Sequence, residues 1–224
     1  MDAFKIKISE EISQKIQAGI LQISGLSCRK VHPALWKEME ELGRRYQNRF
    51  ADTSAALEAL QPARRLYYSM GMEPTRIRPS SEALLRRVLK GKPLYQVNSI
   101  VDVCNYCSLS FLLPVGLYDI QKISGEVTLR LGKPGEAYTG IGKDEVYLGG
   151  RLTLADEEGP FGNPSSDSSR TAIDLSTTNI LAVIFAPGEY PPEKLKDHLQ
   201  FFSETMLRFH SGARMVQQTV AGYE

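Results

Sequence analysis

Apolar and polar residues alternate with period two over residues 4–9 (FKIKIS), the pattern of a strand with one buried face, and 19–26 (GILQISGL) reads as a second, more apolar strand. Between them, Glu11 to Ala18 suits a helical turn or two. From Pro33 to about Leu60 the period lengthens to that of a helix. Trp36, Met39, Leu42 and Gly43 fall on one face, with Glu38, Glu40, Glu41, Arg44 and Arg45 around the rest, which predicts an αα layer over a sheet. Two prolines in 71–81 (GMEPTRIRPSS) disfavour helix at the residue before each, so the chain should run extended there. Ser80 or Ser81 is placed to cap a helix reaching about Lys90, with Leu84, Leu85, Val88 and Leu89 on one face, Glu82 and Arg86 an i,i+4 pair, and Gly91 to stop it.

Residues 98–113 (NSIVDVCNYCSLSFLL) are apolar almost all round, which predicts a buried helix ended by Pro114. After Gly116 the runs 125–132, 145–156 and 179–187 are β-rich and broken by glycines, and 159–171 (GPFGNPSSDSSRT) is a long polar loop of the kind that often carries function. Leu195 to Phe209 is spaced for an amphipathic helix. The expectation is an α+β chain with a mixed, curved β-sheet and helices packed on its faces, with a cleft between the 98–113 helix and the 159–171 loop.

The 224 residues, 42% hydrophobic and 24% charged, can bury a substantial core. The longest uncharged apolar stretch, Thr178 to Pro187, falls short of the ~20 residues of a membrane span, and Met1 to Glu10 is charged, without a secretory apolar region. No membrane partner is expected. Three cysteines argue against a disulfide scaffold and for a reducing cytoplasm. The net charge of +1 hides a segregation: residues 1–97 carry 17 basic and 10 acidic side chains, and the rest the opposite excess. Eight positive charges lie in 62–92 against Glu73 and Glu82 alone. Such a stripe could neutralise phosphates, or it could be a solvated face with structural arginines.

Cys104 and Cys107 form a CxxC in mid-helix without a second ligand pair, so they read as core fillers; no metal and no organic cofactor is expected. His32, His198 and His210 are scattered, show no triad spacing and read as surface residues. Asn98, Asp102 and Asn105 share one face of an apolar helix, where Asp102 should be architectural and Asn105 could present its amide to a ligand. Ser165 to Arg170 crowds hydroxyls, a carboxylate and a guanidinium into one loop, and Arg170 is the member that turn chemistry explains least.

The stretches RPSSEALLRRVLKGKPLYQVNSIVDVCNY (78–106), SLSFLLPVGLYDIQKISG (108–125) and LRLGKPGEAYTGIGK (129–143) resemble the tRNA-binding and editing domain of the bacterial phenylalanyl-tRNA synthetase beta chain, in free-standing form. The similarity runs from about Pro62 to Pro187. It implies an editing-domain core over 62–190, an N-terminal strand and helix extension over 1–61, and a C-terminal helix in 191–224. The synthetase's catalytic and anticodon-binding modules are absent, so the resemblance implies a trans-acting deacylase rather than a synthetase. Its partner would be aminoacylated tRNA, and its nucleophile an oriented water, because an aminoacyl ester is already activated.

Where the family's pocket helix has Thr-Asn-Tyr, this chain has Cys104-Asn105-Tyr106, so Asn105 carries over and Cys104 replaces a hydroxyl. Gly116, followed by Tyr118, stands at the family's pocket histidine, which predicts a smaller pocket wall. Asp167, Ser168 and Arg170 are nearest to the family's side-chain-sensing glutamate, and Gly140 is either a close approach to ligand or a turn glycine. Arg76, Arg78, Arg86, Arg87, Lys90 and Lys92 would meet tRNA phosphates. Two other readings stay open: a tRNA- or amino-acid-binding module without hydrolysis, and a hydrolase of a small amino-acid ester or amide.

Overall fold

The computed structural model describes residues 4–142 and 144–222; Lys143, the last residue of the 129–143 stretch, lies outside them. The chain opens with β1 (Ile6–Ile8) and β2 (Ile16–Ser24), followed by α1 (Pro33–Arg49), α2 (Gln61–Ser69), α3 (Ser80–Leu89) and α4 (Ser99–Phe111). Then come β3 (Val115–Asp119), β4 (Val127–Leu131), β5 (Ala137–Thr139), β6 (Glu145–Tyr147), β7 (Leu152–Asp156), β8 (Gly159–Gly162) and β9 (Asn179–Pro187). The chain closes with α5 (Pro192–Phe209) and β10 (Arg214–Ala221).

The α+β class with mixed strand pairing stands, but the strands divide into two four-stranded sheets and a hairpin. One sheet has the order β10-β2-β9-β3, all antiparallel; the other has the order β1-β4-β7-β8, in which β1 runs parallel to β4. Strands β5 and β6 form the hairpin. The first sheet separates two cores. Ile180, Ala182, Ile184 and Ala186 of β9 face the helices α1, α3, α4 and α5, while Leu181, Val183 and Phe185 face α2 and the second sheet. A strand packed on both faces reads as an unbroken apolar run, which is why 179–187 is so legible.

Several local expectations need correction. Residues 10–15 form turns rather than helix, and β2 begins at Ile16. The helix from Pro33 stops at Arg49, and α2 was unforeseen. Residues 74–76 turn instead of extending, because the N–H groups of Arg76 and Ile77 both donate to the Glu73 carbonyl. Neither serine caps α3: Pro79 takes that position, and Ser81 Oγ donates to the Leu112 carbonyl. Leu112, at φ 58°, ends α4 before Pro114 is reached. The histidines are not surface groups. His210 is buried and its ring meets the Ser27 carbonyl, while His198 stacks on Phe111 and meets the Tyr190 hydroxyl; burial holds its pKa at about 4.

Other expectations are met. Asn98 caps α4 by accepting from the Ile100 and Val101 N–H groups, and the buried Asp102 accepts from Trp36 Nε1 and the Val97 N–H, tying α4 to α1. Cys104 and Cys107 are core residues.

Part of the basic stripe is structural. Glu82, fully buried on α3, accepts from Arg64 Nε and Nη2 and from Arg86 Nε, with Arg78 Nε 3.7 Å away. Burial alone would push this carboxyl up, but the two bonded guanidiniums outweigh it and hold the pKa below the usual carboxylate range. Its contribution to stability is therefore complete above the unfolded-state pKa and is lost as the pH falls through the folded one. Glu82→Ala should cost about 3–5 kcal/mol in urea unfolding, because it strands two part-buried cations. In Glu82→Gln the acid limb of stability against pH should flatten relative to wild type.

Candidate functional site

One tyrosine on β3, the edge strand of the first sheet, packs on Phe161 and Gly162 of β8, the edge strand of the second. Tyr118 points from β3 into the second core, fully buried, with its ring edge-on to Phe161 at 4.9 Å. A Cβ on Gly116 would lie 2.0 Å from the Tyr118 hydroxyl oxygen, and one on Gly162 2.2 Å from it. Only glycine at both positions leaves room for the phenol. The expected smaller wall at Gly116 is thus overturned: the space is taken by Tyr118, two residues along on the same face of the strand.

The Tyr118 hydroxyl donates to Asp167 Oδ1 at 2.8 Å, and the Asn163 N–H donates to the same oxygen at 3.3 Å. Burial pushes the Asp167 carboxyl up to about 7, although the bonds from Tyr118, Leu117 N–H and Asn163 N–H pull the other way. Cys104 looks into the same cluster, and burial together with the Asp167 charge raises its thiol pKa. Asn163 organises the loop: its Oδ1 accepts from the N–H groups of Ser165 and Ser166, and its Nδ2 donates to the Tyr138 hydroxyl at 2.7 Å. Tyr138 in turn donates to the Ser166 carbonyl, and the Tyr67 hydroxyl meets Ser165 Oγ at 2.6 Å. Gly140 bridges to Ser168, tying the hairpin to the loop.

Outside this cluster opens a groove of about 430 Å³, with Arg76, Arg78, Tyr147, Arg151, Ser165 and Ser166 among its lining. It joins Arg76 and Arg78 of the stripe to the serine loop. The other expected contacts lie elsewhere. Arg86 is bound to Glu82; Arg87 donates to the Pro93 carbonyl and lies over the Tyr95 ring; Lys90 is exposed beyond α3. Lys92 borders a separate slot of about 300 Å³ beside Trp36 and Met39. Arg170 is turned away from the groove, bound by both oxygens of Asp156, by Glu158 and by the carbonyls of Lys122 and Gly159. It anchors the loop exit. Asn105 is half-buried on α4, and among the described residues its amide has no hydrogen-bond partner. No cluster of metal-binding side chains occurs among the described residues.

Tyr67, Tyr138, Asn163, Tyr147 and Arg151 were not foreseen. The Asn-Pro-Ser-Ser run was the available sign of an Asn-nucleated turn at 163. Nothing local marked the others, which come from α2, β5, β6 and the turn before β7.

The B3/4 domain family model matches residues 62–221. The chain belongs to the B3/4 domain family. It is 26% identical over 151 residues to the phenylalanine–tRNA ligase beta subunit of Fusobacterium nucleatum, covering 65% of this chain and 18% of that protein. The corresponding subunit of Ralstonia nicotianae is 31% identical over 86 residues, 38% of this chain and 11% of that protein. This B3/4 chain therefore spans less than a fifth of those relatives. A crystal structure of an N-terminal fragment of the Pyrococcus horikoshii phenylalanyl-tRNA synthetase beta subunit superposes with a TM-score of 0.52 over 96% of this chain and 51% of the fragment, at 14% identity, a likeness of fold.

Two measurements check the geometry. Gly116→Ala should destabilise the B3/4 chain by about 1–3 kcal/mol through overpacking, and a second substitution, Tyr118→Ala, should make the added methyl nearly neutral. The raised Asp167 carboxyl favours the folded state below its unfolded pKa, and that contribution is lost as the pH rises through about 7. Urea unfolding at about pH 5 and about pH 8 should show Asp167→Asn gaining on wild type at the higher pH.

Proposed function

We propose that this B3/4 protein binds the aminoacylated end of tRNA and hydrolyses a mischarged aminoacyl ester, acting in trans in the cytoplasm. The observation that carries the reading is a basic groove lined by Arg76, Arg78, Ser165 and Ser166, with the buried Asp167 carboxyl next along the same loop. Family membership supports a tRNA-related role, since the relatives it matches are tRNA ligase subunits.

In this reading the arginines hold phosphate and the ester sits over the 163–168 loop. Water is the nucleophile. A carboxyl with a pKa of about 7 is half ionised near neutral pH and can take a proton from that water as attack begins. Tyr118 keeps the carboxylate oriented, and the unpaired amide of Asn105 is the group proposed to contact the substrate carbonyl. Arg170 acts at one remove, by holding the loop through Asp156.

One observation favours a second reading, a tRNA-binding module without hydrolysis: Tyr118 fills the space beside Gly116 where the family's resemblance places a catalytic-pocket side chain. A panel of misacylated tRNAs separates the two. Editing predicts deacylation of at least one member, with a rate that climbs with pH through about 7 in wild type and is flat and at least about a hundredfold lower in Asp167→Asn. A pure binder retains every tRNA and leaves every ester intact. Asn105→Ala should reduce turnover with little loss of tRNA affinity; equal loss of both would remove it from the chemistry.

A further inference from the structure

The helical layer carries a second concavity that the proposed hydrolysis does not use. It is the slot of about 300 Å³ between α1 and the segment that follows α3, and it shares no lining residue with the groove at the serine loop. Its apolar wall is Trp36, Met39, Val88, Pro93 and Leu94. Two bonds hold that wall in place: Trp36 Nε1 donates to Asp102 Oδ2 at 2.9 Å, and Gln47 Nε2 donates to the Val88 carbonyl at 2.8 Å, tying α1 to the end of α3. Glu40, Arg44 and Lys92 also line the slot, all three exposed. Glu40 and Arg44 stand one turn apart on α1, the spacing at which opposite charges on a helix ordinarily meet. Yet among the described residues no ion pair or side-chain hydrogen bond engages either of them, or Lys92.

A glycine in the same lining gives a second, independent sign. Gly43 lies in the interior of α1, where glycine weakens a helix relative to alanine, and its backbone is not in the left-handed region. A Cβ there would meet only Val88 Cγ1, at 3.6 Å, an ordinary van der Waals contact. Neither backbone conformation nor packing therefore asks for glycine at this position. What the missing side chain provides is open space between Glu40 and Arg44, and close approach of a ligand to the helix is one of the uses of glycine.

We propose that this slot binds a small zwitterion with an apolar body, namely a free α-amino acid with an apolar side chain. The side chain lies against Trp36, Met39 and Leu94 over Gly43, the carboxylate meets Arg44 and Lys92, and the ammonium meets Glu40. Unlike charges at one opening also select against simpler ligands: a plain carboxylate leaves Glu40 facing an anion, and a plain amine faces two cations without return. The volume of about 300 Å³ stands at the lower end of the ~300–1,000 Å³ typical of small-molecule sites, which suits a ligand of this size. The site is separate from the serine loop, and it stands whether or not the protein hydrolyses an ester.

Trp36 is the single tryptophan of the chain, so its emission reports on the slot directly. The test is a fluorescence titration of the full chain, repeated by calorimetry, with L-leucine, L-phenylalanine, isoamylamine and 4-methylpentanoate. At least one of the two amino acids should give a saturable change with a Kd of about 1 mM or tighter. The amine and the acid, each lacking one charge, should bind at least about tenfold more weakly than L-leucine. Arg44→Ala should weaken amino-acid binding about tenfold without weakening isoamylamine, and Glu40→Ala should weaken it about tenfold without weakening 4-methylpentanoate. Gly43→Leu should abolish the response while raising the thermal midpoint by about 2 °C, two opposite changes that a purely structural glycine would not produce. No saturable change up to about 20 mM of either amino acid would overturn the site. So would 4-methylpentanoate binding as tightly as L-leucine, which would make the slot a carboxylate site, or a Gly43→Leu variant with wild-type affinity. Glu40 and Arg44 are exposed, and a thermal melt of each variant verifies folding.

Discussion

A carboxyl held away from water between the two sheets is the constraint on which the packing around the 163–168 loop depends. Asp167 can be withdrawn from solvent because a tyrosine hydroxyl and backbone N–H groups replace its water. That tyrosine fits because both strands beneath its hydroxyl carry glycine there. Loosening any member changes the rest: without the hydroxyl the carboxyl loses a donor, and without the glycines the phenol has no place. The result is a carboxyl that burial pushes up to about 7, on a loop braced by Asn163, Tyr138 and Tyr67.

The charges around the groove divide the same way between architecture and function. Glu82 consumes Arg64 and Arg86 in holding α2 and α3 together, and Asp156 consumes Arg170 in fixing the loop exit. Of the arginines lining the groove, Arg76 and Arg151 have no ion pair among the described residues, while Arg78 lies 3.7 Å from Glu82. Positive charge in the sequence is therefore a poor guide to phosphate contacts until the acids that claim it are located. The two acids also set opposite pH limbs. The Glu82 contribution fails toward acid and that of Asp167 fails toward neutrality, so the two together favour the mildly acidic range between.

Much of the fold could be read from the chain because its principal elements carry undiluted patterns. The run 179–187 is apolar on both faces because β9 lies between two cores, and 98–113 is apolar nearly all round because α4 is packed by α1, α3, α5 and β3. β10 escaped notice because an edge strand with one wet face, RMVQQTVA, has too few apolar residues to announce itself. The site was half legible. Cys104, Gly116, Tyr118 and Asp167 were all singled out, and they converge. Their arrangement was hidden, since filling the space beside Gly116 with Tyr118 depends on β8 lying against β3, a contact between residues more than forty apart. Tyr147 reaches the groove on β6 and Arg151 from the turn before β7, and no local spacing encodes that.

The most direct test of the account is a crystal structure with a non-hydrolysable aminoacyl-amide analogue of the tRNA terminus. The account predicts the acyl carbonyl over the 163–168 loop, a water between it and Asp167, and the adjoining phosphate on the free arginines. An analogue seated elsewhere on the chain, with the Asp167 carboxylate still closed off behind Tyr118 and no water within reach, would contradict it.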